Sequence, residues 1–222
     1  MRKFFTAVLI ILFAAQIGYA APQTLDRATA DSRARQTFEL ISTEGDSYSV
    51  RIIGEDEKLL TDWFWAKGDK IWTGNYFAYI ARRESSTLTL QDVQVFAQNF
   101  NSEHPQRVNA TLANRDGVHL VTGLNGMPDL LISKIQITGG GVFDVKIFVV
   151  KNGRLQQVKF IGDNGKLQDG RDSTARPTVY LADGTISVPW HTNVAPAAGS
   201  YDTVYMFDLN NLILIPAYTK KL

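Results

Sequence analysis

The chain has 222 residues, 45% of them hydrophobic and 20% charged, and it contains no cysteine. Its 23 Lys and Arg nearly balance 22 Asp and Glu. There is therefore no global field to draw in nucleic acid or an anionic membrane, and no Lys/Arg cluster creates a local one. Lack of cysteine excludes thiolate catalysis, disulfide exchange and cysteine-based zinc sites. Stability must come from burial, for which the length suffices in one large domain or two small ones.

Arg2 and Lys3 precede an unbroken apolar run, Phe4 to Ala15, and small residues follow at Gly18 and Ala20. A charged start, an apolar middle and a small-residue exit predict a secretory signal peptide over 1–20. The run falls short of the roughly 20 apolar residues a bilayer span needs. The expected product is exported and soluble, without membrane insertion after cleavage. Export without disulfides points to a bacterial periplasm or exterior. Residues 21–35 read as a polar leader, frayed or with a short helix from Asp26, and a β-rich domain is expected over 36–222.

Short apolar runs alternate with turn residues from there on. Thr37–Thr43 and Tyr48–Ile53 flank Glu44-Gly45-Asp46. Leu59–Ala66, Lys70–Thr73 and Tyr76–Arg82 are separated by Lys67-Gly68-Asp69 and Gly74-Asn75. This spacing of Gly, Asn and Asp predicts hairpins. Aromatics crowd the stretch. Alternation puts Trp63 and Trp65 on one face of their strand, and Trp72 follows. These rings either pack across paired strands or form a binding platform, since an aromatic ring offers a large contact area at little entropic cost.

Leu90, Val93, Phe96, Ala97 and Phe100 recur at helical spacing, which predicts a short helix near 90–100. The competing reading extends a strand from Thr87, because Leu88 and Leu90 alternate with Thr87, Thr89 and Gln91. A loop with Pro105 makes 101–106 a candidate sub-boundary.

The second half is more regular. Arg107–Ala113 and Val118–Thr122 flank Asn114-Arg115-Asp116-Gly117. Val142–Val150 alternates, with Phe143, Val145, Ile147 and Val149 on one face and Asp144 and Lys146 on the other. Lys151-Asn152-Gly153 turns it into Arg154–Ile161. Asp163-Asn164-Gly165 makes the next turn. Pro177–Leu181, Thr185–Trp190, Tyr201–Leu209 and Leu212–Tyr218 complete the series. The expected class is all-β and mainly antiparallel: a hairpin-linked meander forming blade-like sheets or a sandwich.

Asn125-Gly126-Met127-Pro128-Asp129-Leu130-Leu131 resembles the loop of FG-GAP and VCBS-type repeats, in which an Asp/Asn/Gly-rich calcium loop precedes Pro-Asp-Leu and a strand. The likeness covers residues 107–162. It implies a blade-derived sheet, calcium at Asn125 and Asp129, and binding rather than catalysis.

No catalytic pattern stands out. The three histidines lack metal-ligand spacing, and neither a Gly-x-Ser-x-Gly elbow nor a phosphate-binding glycine loop occurs. Asp163, Asp169 and Asp172 are turn formers or calcium ligands. Trp190-His191, at the mouth of the loop 192–200, is a second candidate binding position. The leading expectation is a non-catalytic envelope domain that binds a protein or a glycan, with no cofactor beyond calcium. The rivals are a secreted hydrolase using carboxylates and a calcium-dependent structural repeat.

Overall fold

A computed structural model describes residues 23–60, 71–93, 95, 107–109, 117–136, 143–193 and 196–222. Two sheets and one short helix make up the described chain. The first sheet contains β1 (Thr24–Asp26), β2 (Ala34–Ile41), β3 (Ser47–Leu60), β4 (Ile71–Arg82), β5 (Thr87–Gln91) and β6 (Arg107–Asn109). Its order is β1-β5-β4-β3-β2, with β6 beside β4. The second contains β7 (Val118–Val121), β8 (Leu130–Gln136), β9 (Phe143–Lys151), β10 (Arg154–Ile161), β11 (Leu167–Gln168), β12 (Arg171–Ser173), β13 (Val179–Tyr180), β14 (Ile186–Thr192), β15 (Gly199–Asp208) and β16 (Ile213–Lys221). Its order is β13-β14-β15-β16-β10-β9-β8-β7, with β11 on β10 and β12 on β9. The all-β, antiparallel class expected from the alternation is what the chain adopts. Among the described strands one pairing is parallel: β16 crosses back to lie beside β10 at Lys159–Phe160.

Three cores hold these layers. Val50, Ile52, Ala78 and Ile80 of the first sheet meet Leu131, Phe148, Val150 and Leu155 of the second, so the two sheets share a core. The second sheet curls around another, built from Ile132, Val145, Ile147, Val158, Phe160, Val188, Tyr205 and Leu214. Tyr180 Oη donates to Pro128 O at 2.9 Å and Asn125 Nδ2 to Ala182 O at 2.8 Å. These bonds draw the β13–β14 hairpin toward the turn before β8 and leave the sheet nearly closed, like a barrel. Each fully buried Val, Leu, Ile or Phe in these cores contributes about 1.5–3 kcal/mol.

β9 lies between two cores. Val145, Ile147 and Val149 enter the second core, as their alternation predicts, while Phe148 and Val150 on the opposite face enter the first. Only Asp144 and Lys146 keep that second face polar, so the strand changes from half-wet to fully buried along its length. The turn that follows is the expected one: Asn152 and Gly153 have φ of 51° and 72°, and Lys151 pairs with Arg154. Such a two-residue turn matches the strand twist, and Asn-Gly supplies both positive φ values cheaply.

Several expectations need correction. Within the expected polar leader 21–35, the described residues are not frayed: β1 is followed by the helix α1 (Arg27–Arg33), so the alternative of a short helix from Asp26 is the one the chain adopts. Asp26 caps α1, its side chain accepting from Thr29 N at 2.9 Å. Arg27 then ties the helix to the β4–β5 turn through Ser85 O, Arg82 O and Arg83 O. Ala30 is buried with Leu25, Ile53, Tyr79 and Leu88 in the third core. The helix near 90–100 is not seen in its described part: Thr87–Gln91 is strand β5, and residues 92, 93 and 95 are not helical. Gly74-Asn75, read as a turn, lies inside the unbroken β4, where Asn75 pairs with Glu55. The sub-boundary at 101–106 lies outside the described residues. No helix among the described residues is long and apolar enough to cross a membrane.

Candidate functional site

A cleft of about 530 Å³ opens where β9 begins and β14 ends, lined by Asp144, Asp163, Asn164, Gln168, Gly170, Arg171, Asp172 and Trp190. Strand pairing builds it. Asp172 on β12 sits directly opposite Asp144 on β9. Opposed residues on one face have Cβ atoms roughly 4.5–5.5 Å apart, and like charges there destabilise the pair. The fold thus holds together two carboxylates that stability alone would separate. Asp144 is the more enclosed. Burial raises its pKa above the ordinary carboxylate range, Lys146 opposes the rise, and the charges of Asp172 and Asp169 add to it. Room for its carboxylate comes from Gly170: a Cβ there would lie 2.5 Å from Asp144 Oδ1 and 3.0 Å from Val145 O.

Arg171 provides the opposite charge. Its side chain is only 15% exposed, yet its ion pair to Asp163 Oδ1 is long at 3.9 Å. The guanidinium carbon lies 5.8 Å from the Trp190 ring centre and 5.6 Å from that of Tyr205. Cation–π attraction to two rings holds the guanidinium in place without using up its N–H donors. Trp190 is fixed in turn. It stacks on Tyr201 with centroids 4.6 Å apart, and its Nε1 donates to Thr203 Oγ1 at 3.0 Å. Tyr205 is fully buried in the second core, against the same guanidinium. Burial pushes that phenol up to about 12, and the charge of Arg171 works against the rise.

The residues singled out from sequence scatter. Asp163, Asp172 and Trp190 reach this cleft. His191 does not: alternation along β14 turns it to the other face, where its ring nitrogens meet Ser200 Oγ and Asn193 Oδ1. Asp169 lies beside the cleft, its carboxylate paired with the Lys159 ammonium. Trp63 and Trp65 lie outside the described residues, and of Trp72 the backbone pairings with Leu59 and Val108 are described. Asn125 occupies a turn with φ of 54°. Asp129 is buried, its Oδ2 accepting from Ile41 N at 2.8 Å and its Oδ1 from Gly123 N at 2.7 Å. Those bonds make Asp129 a staple between β2 and the β7–β8 turn. Among the described residues no group of three or more His, Asp or Glu is arranged to hold a metal ion.

Sequence reading missed Asp144, Arg171 and Gln168 as site residues. Asp144 did carry a signal, being an acidic residue on a strand otherwise built for burial. No family model matches the chain, and no curated protein or solved structure shows significant similarity to it.

Proposed function

We propose that this chain is an exported, non-catalytic β-domain of a bacterial envelope or exterior, and that its partner is a glycan bound in the Asp144–Asp172 cleft. The observation that carries this reading is the cleft itself. It is concave and polar, and carboxylates, side-chain amides and a guanidinium converge in it, the donor and acceptor set that fixes hydroxyl groups. A protein partner would be better served by a broad face with apolar anchors. Export rests on Arg2, Lys3, the run Phe4–Ala15, and Gly18 and Ala20.

The test is a glycan array probed with the purified protein and with Gly170→Ala. A Cβ at residue 170 displaces the Asp144 carboxylate, so the variant is expected to keep its circular dichroism spectrum and lose the glycan signal. Absence of any glycan signal from the wild type overturns the reading. A single observation favours a hydrolase instead: Asp144, with its pKa held up by burial, faces the exposed Asp172, and divergent environments for two carboxylates suit an acid and a base. Release of reducing ends from a bound oligosaccharide, abolished by Asp144→Asn, would establish that alternative.

A further inference from the structure

We infer that Ser200 is an activated nucleophile that accepts a short acyl group from an activated ester, with His191 as its base and Asn193 positioning that base. By strand alternation the Ser200–His191 pair lies on the face of β14 and β15 turned away from Trp190 and Tyr201, so the inference stands apart from the glycan cleft. Ser200 sits directly opposite His191. The Ser200 carbonyl accepts from Leu222 N at 2.9 Å, so its backbone groups point toward β16 and away from β14. The 191–200 pair is therefore of the non-hydrogen-bonded kind, in which Cα atoms approach to about 4.5 Å and side chains come closest. Ser200 Oγ accordingly lies 3.2 Å from His191 Nδ1, and His191 Nε2 lies 2.7 Å from Asn193 Oδ1.

These contacts fix the proton. An amide oxygen can only accept, so Nε2 of the neutral ring carries the hydrogen. Nδ1 keeps its lone pair, and the Ser200 hydroxyl donates to it. A hydroxyl within bonding reach of a base that a third group orients is the arrangement of an activated nucleophile. Ser32, Ser85 and Ser173 differ: they donate to backbone carbonyls, which hold a hydroxyl proton without removing it. In the reaction, Ser200 Oγ forms a bond to the acyl carbon while Nδ1 takes its proton. The bond from that carbon to the alkoxide leaving group breaks, and Nδ1 returns the proton to the alkoxide. An acyl ester on Ser200 and a free alcohol result, with no oxidant or further reactant. Asn193 Oδ1 keeps its bond to Nε2–H while the ring is charged. His191 is exposed and Ser200 half-buried, and this open strand surface suits a short acyl group delivered from solution.

The experiment treats the purified protein with p-nitrophenyl acetate and maps the peptides by mass spectrometry. An acetyl group is expected on the peptide carrying Ser200. Alkaline hydroxylamine should remove it as an ester while leaving acetylated lysine amides intact. Ser200→Ala should lose this adduct, and His191→Gln should slow its formation by about a hundredfold or more, the scale of general-base assistance. Asn193→Ala should slow it as well, whereas Asn193→Asp, which keeps an oxygen acceptor for Nε2, should retain most of the rate. Circular dichroism checks that each variant is folded. Absence of a hydroxylamine-labile acetyl group at Ser200, or acetylation that His191→Gln leaves unchanged, overturns the inference. Equal slowing in both Asn193 variants overturns the positioning role given to that residue.

Discussion

Replacing Asp129 with alanine removes the acceptor of two backbone N–H groups, Ile41 N at 2.8 Å and Gly123 N at 2.7 Å. Hydrogen bonds to a charged group contribute about 1.5–3 kcal/mol each, and donors that are partly exposed fall at the low end. The pair should therefore cost about 3 kcal/mol. For a domain of this size each kcal/mol lowers Tm by about 2–4 °C, so a drop of about 6–12 °C is expected. Asp129→Asn keeps one carbonyl oxygen as acceptor and should lose about half as much. Urea denaturation of the wild type and both variants measures the difference, with the slope m checked for constancy. A loss below about 1 kcal/mol for Asp129→Ala, or equal losses for both variants, would refute the staple.

Other expectations concern charge. Burial first, and the positive Arg176 second, hold the Lys134 ammonium down at about 8. An unfolded lysine titrates near ~10.4, so between these values the unfolded chain binds more protons and stability rises with pH. Lys134→Met should abolish the rise in urea midpoint across that window, and an unchanged rise would place its cause elsewhere. Asp144 is shifted the other way. Its raised pKa means that the charged form costs fold stability above the folded value, and that the cost is relieved as pH falls toward the unfolded one. Asp144→Asn should stabilise the protein near neutral pH by about 0.2–1 kcal/mol, the cost of opposed like charges. The gain should vanish once the pH falls below the ordinary aspartate value of ~3.9, and calorimetric scans at both pH values measure it. Arg27→Ala should detach α1 from the β4–β5 turn, costing about 2 kcal/mol for its several hydrogen bonds and speeding amide exchange in residues 27–33.

What the sequence reveals is what strand periodicity and turn chemistry encode locally. The alternation of β9 and the Asn152-Gly153 turn needed no tertiary information. Gly74-Asn75 misleads for the opposite reason: local turn propensity yields to β4, which pairs through it with β3. The polar stretch before β2 lacks an apolar face of its own, yet Asp26 caps it and Arg27 anchors it to a turn some 55 residues away. The site is legible only in fragments. Asp144 and Asp172 meet because β12 pairs with the start of β9 while β10 pairs with its end, a register set by the curl of the whole sheet. Trp190 and His191 are neighbours in sequence and opposites in space. Asp129 carries the composition of a calcium ligand and the geometry of a backbone staple.

The cleft's role can be tested most directly by following tryptophan indole N–H signals during titration with an oligosaccharide that the glycan array identifies. The chain has four tryptophans, and Trp190→Phe assigns one resonance. The Trp190 signal is predicted to move in proportion to occupancy, since its ring carries Arg171 at the cleft wall. Saturable binding that shifts another indole and leaves Trp190 unmoved would contradict the account.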